Sequence, residues 1–370
     1  MRPTRAEIDL DAIAHNVGVL AALADPAQLC AVVKADGYGH GAVEVARAAL
    51  DAGATWLGVA LCEEGRELRE AGLDAPILLL SEPSPAEMDA AVTEHLRPTV
   101  YTRDGVLALA DAARRAAEPV PVHLKINTGM YRVGAPADQA VALAELVRDS
   151  PGLGLEAVWS HCPVADEPDN PYTGEQVERL RAVLDELDRD GLHPPMVHLA
   201  NSAALICQPD TAFDLVRAGI AVYGVAPSPA LAGRADLQPA MRLVSEVCLV
   251  QRVPAGAGVS YGHRWHAERD TTIATVPIGY ADGVARRWFE EGGCVLVGGR
   301  RRPLAGVVTM DQLMVDCGED EVAAGDEVVL IGRQGDEELT AEEWADTLGT
   351  IGYEIVSRIG PRVTRYHLAS

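Results

Sequence analysis

The sequence predicts an α/β protein in which a (β/α)8 TIM-type barrel is followed by a mainly β domain. Over roughly the first two hundred residues, short apolar runs alternate with helix-like segments, which is typical of parallel strands joined by helices. After about position 235, valine-rich runs between glycine-rich turns replace the helical segments. We therefore place the barrel at residues 1–235 and the β-rich domain at residues 236–370, with a doubly wound open sheet as the nearest alternative to the barrel.

Eight apolar runs are the predicted barrel strands, because each is followed by a polar or glycine turn and then by a helix-like segment. In chain order they are residues 30–34, 55–60, 76–80, 97–101, 120–126, 155–160, 196–200 and 213–220. Helical spacing of apolar residues predicts helices over 40–52, 62–71, 103–117, 137–149 and 174–190. The first residues of the chain lead into polar sequence that also looks helical.

The predicted second domain is built from strands with few helices. Its candidate strands are residues 241–253, 271–280, 293–299, 304–316 and 326–332. The stretch APSPALAG at residues 226–233 combines proline, alanine and glycine and is the best candidate for a linker.

Composition narrows the class of function. The formal net charge of -24 argues against a nucleic-acid or anionic-membrane partner, because such a surface repels phosphates. No segment approaches the length of a membrane span, and the start of the chain has no apolar signal core. Seven cysteines without a CxxC pair favour reduced thiols over disulfides or a metal site. We expect a cytoplasmic protein that acts on a small molecule.

A barrel carries its chemistry where the carboxyl ends of the strands meet. The polar residues predicted at that end are Lys34, Lys125, Arg132, His161, Asn201, Ser202 and Arg217. Taken singly, each has an ordinary structural explanation, such as a solvated lysine at a strand exit or an arginine in a salt bridge. Their convergence on one face favours a functional site.

Two of the predicted loops suit a phosphate group. Barrel enzymes often bind phosphate in the loops after strands 7 and 8, where Ser202 offers a hydroxyl and Gly219 allows a close backbone approach. Lys34 follows an apolar run, and desolvation lowers the pKa of an ammonium group towards the range where the amine is nucleophilic. Pyridoxal 5'-phosphate is the cofactor whose needs match a lysine facing a phosphate site.

Several long motifs resemble those of one family. The stretch AVVKADGYGHG at residues 31–41 resembles the cofactor-lysine motif of alanine racemases, and further matches follow in order to the end of the chain. These lie at 123–134, 159–173, 198–204, 216–224, 259–265, 276–283, 308–316 and 349–363. The resemblance implies a barrel plus a β domain, a homodimer with shared active sites, pyridoxal 5'-phosphate, and interconversion of L- and D-alanine.

The resemblance also implies roles in catalysis. Lys34 is implied to bind the cofactor covalently and to act as the base on the D-alanine face, opposite Tyr261 of the other subunit. Two bases on opposite faces are what racemisation requires. A tyrosine with an ordinary pKa near 10 is a poor base, so its phenolate needs stabilisation, for which His161 is the candidate. Arg217 is implied to face the pyridine nitrogen, which an arginine cannot protonate.

Binding roles follow from the same motifs. The residues implied around the cofactor phosphate are Tyr38, Ser202, Gly219, Ile220 and Tyr353. Arg132 and the backbone of Met310, the latter from the partner subunit, are implied to hold the substrate carboxylate. Tyr280 and Asp311 are implied to line a narrow entrance, which favours small side chains. Lys125 corresponds to a residue that is carbamylated in some relatives and orients the neighbouring arginine, and the sequence leaves its modification open.

Two departures keep alternatives open. Asn127 stands where an aspartate is expected, and Cys162-Pro163 follow the histidine where larger apolar residues are usual. The second departure would widen the pocket, so a racemase of serine or of a broader set of amino acids remains an alternative. A basic amino-acid decarboxylase would place an acid where Arg217 stands, and a cofactor-carrier protein would need no β domain with Tyr261.

Overall fold

The structure, a computed structural model, describes residues 2–208 and 211–369. The described chain divides into two compact units. The first, called the barrel unit below, contains Ile13–Gly37 and Ala42–Leu237. The second, called the β unit, contains residues 2–12, Tyr38–Gly41 and 238–369. Each unit therefore draws on segments that are separated in the sequence.

The chain begins with a strand and then a helix, β1 (Arg5–Asp9) and α1 (Leu10–Ala24). The strand corrects the prediction of helix-like sequence at the start. Ala6 and Ile8 are fully buried and alternate with more exposed neighbours, which is the two-residue period of a strand. The helix follows at once, and the Asp9 carboxylate accepts a hydrogen bond from the Ala12 backbone N–H at 2.9 Å.

Eight parallel strands form the barrel: β2 (Gln28–Val32), β3 (Trp56–Val59), β4 (Ile77–Leu79), β5 (Thr99–Val100), β6 (Val120–Lys125), β7 (Leu153–Trp159), β8 (Met196–His198) and β9 (Leu215–Ala218). They pair in the orders β4-β3-β2-β9 and β5-β6-β7-β8. Parallel bridges between Leu78 and Arg97 and between Asn201 and Arg217 join the edges of these two sheets. The eight predicted strands are all confirmed, and together they close into a barrel.

Helices connect these strands: α2 (Lys34–Gly39), α3 (Ala42–Asp51), α4 (Cys62–Glu70), α5 (Met88–Thr93), α6 (Arg103–Ala116), α7 (Ala140–Asp149), α8 (Tyr172–Arg189) and α9 (Ser202–Cys207). The five predicted helices are confirmed as α3, α4, α6, α7 and α8, and α7 is preceded by a short 3-10 turn. Two helices show why they begin where they do. The side chains of Thr102 and Asn201 accept hydrogen bonds from the backbone N–H groups of Gly105 and Ala204, which caps α6 and α9.

The β unit holds the remaining strands: β10 (Met241–Glu246), β11 (Leu249–Val253), β12 (Gly258–Val259), β13 (Trp265–His266), β14 (Thr271–Val276), β15 (Cys294–Val297), β16 (Arg300–Pro303), β17 (Leu313–Gly318), β18 (Glu327–Gln334), β19 (Glu337–Leu339) and β20 (Thr364–Leu368). One sheet runs β16-β15-β18-β10-β1-β20, with β19 paired to β18. A second runs β11-β14-β17, and β12 pairs with β13.

The β unit departs from the prediction in several places, including the run at 241–253, which forms two strands, β10 and β11. The run predicted as a strand at residues 304–316 is a strand only from Leu313, because a turn in which the Thr309 N–H donates to the Gln312 carbonyl interrupts it. Two helices, α10 (Ala341–Leu348) and α11 (Gly352–Ser357), follow β19. In α10, the buried Trp344 stacks on Trp288 with ring centroids 4.1 Å apart.

Two further expectations concern the whole chain. Among the helices of residues 2–208 and 211–369, none has the length and apolar character needed to cross a membrane. All seven cysteines are free thiols, as the sequence predicts.

Candidate active site

Lys34 lies at the carboxyl end of β2, directly after the buried residues Val32 and Val33. The buried Tyr223 donates a hydrogen bond from its hydroxyl to the Val32 carbonyl oxygen at 2.9 Å, which fixes the end of this strand. Burial lowers the pKa of Lys34, the charge of Arg132 lowers it further, and Glu64 opposes the shift. The ammonium group therefore loses its proton more easily than a solvated lysine does, as a nucleophile or base requires.

The backbone after Lys34 forms a left-handed turn. Residues 35–39 all have positive φ values, between 51° and 83°. This conformation costs a non-glycine residue such as Ala35 or Tyr38 about 1–2 kcal/mol, so tertiary contacts must hold it. The carboxylate of Glu64 accepts a hydrogen bond from the Ala35 N–H at 2.6 Å. The glycine-rich stretch after β2 thus turns the chain sharply just beyond Lys34.

Arg217 lies in β9 and is buried among polar partners. Its guanidinium donates hydrogen bonds to the backbone carbonyls of Ser160 and Leu199 at 2.8 and 3.0 Å. It also donates to Nδ1 of His198 at 2.8 Å and to Nδ1 of His161 at 3.2 Å. Burial lowers the pKa of Arg217 to about 10, so the group stays charged at neutral pH.

A relay of two histidines connects Arg217 to a carboxylate. An arginine can only donate, so Nδ1 of His198 accepts and Nε2 of His198 carries the proton. That nitrogen donates to Nδ1 of His123 at 2.9 Å, and Nε2 of His123 donates to Glu156 at 2.9 Å. Burial lowers the pKa of both histidines, which keeps them neutral. The hydrogen bonds therefore all point from Arg217 towards Glu156.

The position of the proton on His161, at the mouth of the barrel, follows from the same argument. Its Nδ1 accepts from Arg217, so Nε2 carries the proton and is available as a donor. Burial lowers the pKa of His161 well below its ordinary value, and the charges of Arg217, Lys125, Arg132 and Lys34 lower it further. His161 is thus a neutral hydrogen-bond donor in a field of four cations.

Lys125 ends β6 and is only 4% exposed. Its Nζ lies 3.9 Å from the centre of the Trp159 ring, and the guanidinium of Arg217 lies 4.5 Å from the same centre. Burial lowers the pKa of Lys125 to about 7, with the charges of Arg217, Arg132 and Lys34 acting in the same direction. Such a concentration of positive charge in a protein of net charge -24 attracts small anions to this end of the barrel.

Ser202 and Gly219 meet in the loops where a phosphate group was predicted. The Ser202 hydroxyl accepts a hydrogen bond from the Gly219 N–H at 2.8 Å and keeps its own O–H as a donor. Gly219 and Ile220 are buried where β9 ends. A hydroxyl and closely packed backbone beside cationic side chains fit the chemistry of a phosphate ester, so these residues suit pyridoxal 5'-phosphate.

Arg132 is exposed on the loop that follows β6. The loop is shaped by Asn127, whose Oδ1 accepts hydrogen bonds from the N–H groups of Gly129 and Tyr131, both at 3.0 Å. An aspartate at this position would make the same bonds and add a negative charge. The departure at Asn127 therefore preserves the loop while leaving the charge of Lys125 uncompensated on this side.

Tyr38 and Tyr353, both in the β unit, lie close together. Their ring centroids are 6.3 Å apart. Burial raises the pKa of Tyr38 to about 12, which keeps its hydroxyl protonated as a donor. The structure therefore brings together two of the residues predicted to surround the phosphate.

Tyr261 is 73% exposed within the chain. It begins a short 3-10 turn after Ser260, which has a left-handed φ of 64° and donates a hydrogen bond to the Val307 carbonyl oxygen at 2.7 Å. Beside it lies an open groove of about 610 Å³ whose lining includes Leu249, Val259 and Met314. A strained, hydrogen-bonded turn thus presents the phenol outward, next to an apolar surface.

Tyr280, Met310 and Asp311 form one cluster in the β unit. The Tyr280 N–H donates to the Thr309 carbonyl at 2.9 Å, which ties the two loops together. Asp311 forms a 2.7 Å ion pair with Arg362. Met310 is 52% exposed and Tyr280 42%. The cluster therefore presents an apolar residue and an aromatic residue to the outside of the unit.

The sequence matches one family over both parts of the chain. The family described as Alanine racemase, N-terminal domain, matches residues 8–227, and Alanine racemase, C-terminal domain, matches residues 240–367. The chain belongs to the alanine racemase family. The expected fold class and the expected enzyme class, an amino-acid isomerase of this family, are confirmed.

Relatives within the alanine racemase family match along nearly their whole length. The chain is 48% identical to the alanine racemase of Thermobifida fusca (strain YX), over 98% of this chain and 97% of that protein. It is 47% identical to the alanine racemase of Symbiobacterium thermophilum, over 99% and 97%. The crystal structure of alanine racemase from D-cycloserine-producing Streptomyces lavendulae has a TM-score of 0.95 at 44% identity, covering 100% of this chain and 98% of that one.

The sequence analysis missed the residues that support the predicted ones. His123 and His198 begin two of the matching motifs, at 123–134 and 198–204, but the sequence analysis assigns them no role. A signal for His123 was available, because His123 and Lys125 are two positions apart in β6 and so lie on the same face of the strand. Tyr223 and Glu64 left no such signal, because their partners are backbone atoms of distant segments.

Proposed function

We propose that the chain interconverts L-alanine and D-alanine with pyridoxal 5'-phosphate, using Lys34 and Tyr261 of a partner subunit as the two bases. The observation that carries the proposal is the partly buried Lys34, whose pKa is lowered by burial, at a barrel end with three further cations. Relatives named alanine racemase support alanine as the substrate. When bound, the cofactor withdraws electrons from the substrate Cα and so acidifies its proton.

Ser202, Gly219, Ile220, Tyr38 and Tyr353 would hold the cofactor phosphate. Arg217 would face the pyridine nitrogen. Because an arginine keeps its proton, it can donate a hydrogen bond to that nitrogen but cannot protonate it. The carbonyl and histidine acceptors around Arg217 fix its orientation. Electron withdrawal by the cofactor is then weaker, which disfavours side reactions such as transamination.

The two bases act on opposite faces of the substrate. Lys34 removes or returns the Cα proton on the D-alanine face, and Tyr261 of the partner subunit does so on the L-alanine face. Racemisation in either direction needs both, since one group takes the proton and the other delivers one. His161 has a free Nε2–H and is neutral, so it can stabilise a phenolate by hydrogen bonding.

Substrate recognition rests on a small set of residues. Arg132 would bind the alanine carboxylate together with the backbone of Met310 of the partner subunit. Tyr280 and Asp311 would narrow the entrance and so favour small side chains. Lys125 would support Arg132 by adding to the positive charge around the carboxylate.

The proposal includes a homodimer with shared sites. The barrel domain at 1–235 would bind the cofactor, and the β-rich domain at 236–370 would supply the second base to the partner. The exposure of Tyr261 and Met310 supports this, because side chains that face outward from their own unit are available to a partner subunit.

A cytoplasmic role in making D-alanine for peptidoglycan precursors is the corresponding biological proposal. Seven free thiols support a reducing compartment. The role in peptidoglycan synthesis rests on family membership alone.

The experiment uses purified protein loaded with pyridoxal 5'-phosphate. We expect visible absorption, and borohydride reduction should leave a stable adduct on Lys34. The chain contains two lysines, Lys34 and Lys125, so peptide mass spectrometry gives a binary answer. Racemisation should be fastest with L-alanine in a panel that includes L-serine. An adduct on Lys125 would overturn the assignment of Lys34, and faster turnover of serine would favour the broader racemase.

A further inference from the structure

One face of α8 contacts the loop that carries Arg132. Tyr172, Gln176 and Arg179 are spaced four and three residues apart, which places them on the same side of the helix. The Tyr172 hydroxyl donates to the Gly129 carbonyl at 3.0 Å, and Nη1 of Arg179 donates to the Thr128 carbonyl at 2.9 Å. We call these three residues the α8 clamp.

Gln176 is the central member of the α8 clamp and is fully buried. Its Nε2 donates to Oγ1 of Thr128 and to the backbone carbonyl of His161, each at 3.0 Å. Within the described residues, its Oε1 has no hydrogen-bond partner. The amide is therefore oriented by its two donated bonds, one to the Arg132 loop and one to the segment of His161.

The bond to Thr128 continues deeper into the barrel. The Ser160 hydroxyl donates to the Ile126 carbonyl at 2.7 Å, so the Thr128 hydroxyl must donate to Ser160, at 2.7 Å, while accepting from Gln176. The Ser160 carbonyl in turn accepts from Arg217. A single buried chain of hydrogen bonds therefore joins α8, the start of the Arg132 loop and the group that holds Arg217.

The loop depends on this external support. Tyr131 has a left-handed φ of 57°, and Gly129 has a φ of 136°. A Cβ at Gly129 would lie 2.2 Å from the Tyr172 hydroxyl oxygen, so only glycine allows the loop to approach the helix this closely. A strained loop packed directly on α8 takes its position from that helix.

We propose that the α8 clamp positions Arg132 relative to His161, and so sets how well the substrate carboxylate is bound. The inference rests on the proposed function of Arg132. It assigns Tyr172, Gln176 and Arg179 a positioning role for the substrate-binding arginine, because their direct contacts are with the Arg132 loop and the His161 backbone. Misplacing a binding arginine weakens carboxylate binding more than it affects the cofactor.

The test compares Gln176→Met, Arg179→Met and, as a matched control, Arg181→Met. Arg181 lies on the same helix, is exposed, and forms a 3.2 Å ion pair with Glu178. In the holoenzyme, Gln176→Met should raise both KM for L-alanine and the inhibition constant of propionate by roughly tenfold. Arg179→Met should raise them by a smaller factor, and Arg181→Met should leave them unchanged. The affinity for the cofactor and its visible absorption should not change in any variant.

Hydrogen exchange supplies a readout that does not depend on activity. The backbone amides of residues 127–135 should exchange faster in Gln176→Met than in the wild type or in Arg181→Met. Unchanged exchange and an unchanged propionate constant in Gln176→Met would overturn the inference, as would a lowered Tm with normal propionate binding. If the wild type does not racemise alanine, the proposed function fails, and the exchange rates still decide whether the clamp holds the loop.

Discussion

The barrel unit and the β unit contribute their candidate residues in opposite ways. Lys34, Lys125 and Arg217 lie at the end of the barrel, and the charges that shift their pKa values belong to residues of their own unit. Tyr261 and Met310, in the β unit, are 73% and 52% exposed. The barrel residues are therefore organised by contacts within their own unit, whereas the two β-unit residues face outward from theirs.

The two units also differ in the charges of their candidate residues. Both lysines of the chain lie at the barrel end, and the four cations there lower the pKa of His161 together. In the β unit, the candidate charge Asp311 is neutralised by Arg362 at 2.7 Å. The barrel end is thus suited to bind anionic groups such as a phosphate or a carboxylate, whereas the charge of Asp311 in the β unit is already paired.

The largest expected effect tests whether Lys34 and Tyr261 of one active site belong to different subunits. Lys34→Ala and Tyr261→Phe should each nearly abolish racemisation, because either change removes one of the two proposed bases, both of which racemisation requires. If subunits of the two variants are dissociated and mixed, half of the dimers should be hybrids, each with one intact site. Activity should then recover to about a quarter of the wild-type value per chain.

The mixing experiment has a built-in control. Each variant is also mixed with itself through the same dissociation step, which should restore nothing. Native mass spectrometry confirms that hybrids have formed. Hybrids without activity, or full activity per chain in a sample that sedimentation shows to be monomeric, would mean that Tyr261 does not serve a partner.

The next effect separates the two faces of the substrate. Tyr261→Phe removes the hydroxyl proposed to take the proton of L-alanine and leaves Lys34 intact. In deuterated water, exchange at Cα should persist with D-alanine and fall at least about 100-fold with L-alanine. NMR of the recovered substrate measures both rates. Exchange of L-alanine at close to the wild-type rate would show that another residue or a bound water is the base.

How far the sequence predicted the structure also differs between the two units. The barrel strands β2 to β9 follow from local patterns, because each apolar run and its helix are neighbours in the chain. The strands β1 and β20 are among those missed, because RAEID and TRYHL are short, contain only two apolar residues each, and pair with each other across the two ends of the chain. Lys34 and Arg217 could be predicted because they lie at predicted strand ends. The relay through His123 to Glu156 could not be predicted, because it depends on the register of three strands.

The smallest expected effect concerns how far the cations at the barrel end, Lys125 in particular, destabilise the fold. Lys125 is buried over Trp159, and its pKa in the folded chain is about 7, against an ordinary value near 10.4 in the unfolded chain. Because the unfolded state binds the proton more tightly, the charge of Lys125 destabilises the fold. This destabilisation has its full value below pH 7 and decreases as the pH rises from 7 to above 10.

Lys125→Met removes the charge and keeps an unbranched apolar side chain, so it should stabilise the fold at pH 6 by about 1 kcal/mol. The gain should shrink at pH 9, where the folded wild type has already lost the proton. Lys125→Arg, which stays charged throughout, serves as the control and should show no gain at either pH. Urea unfolding at both pH values measures the free energies. If Lys125→Met is less stable than the wild type at pH 6, the charge of Lys125 is compensated within the fold, and the barrel end is less electrostatically strained than its cations indicate.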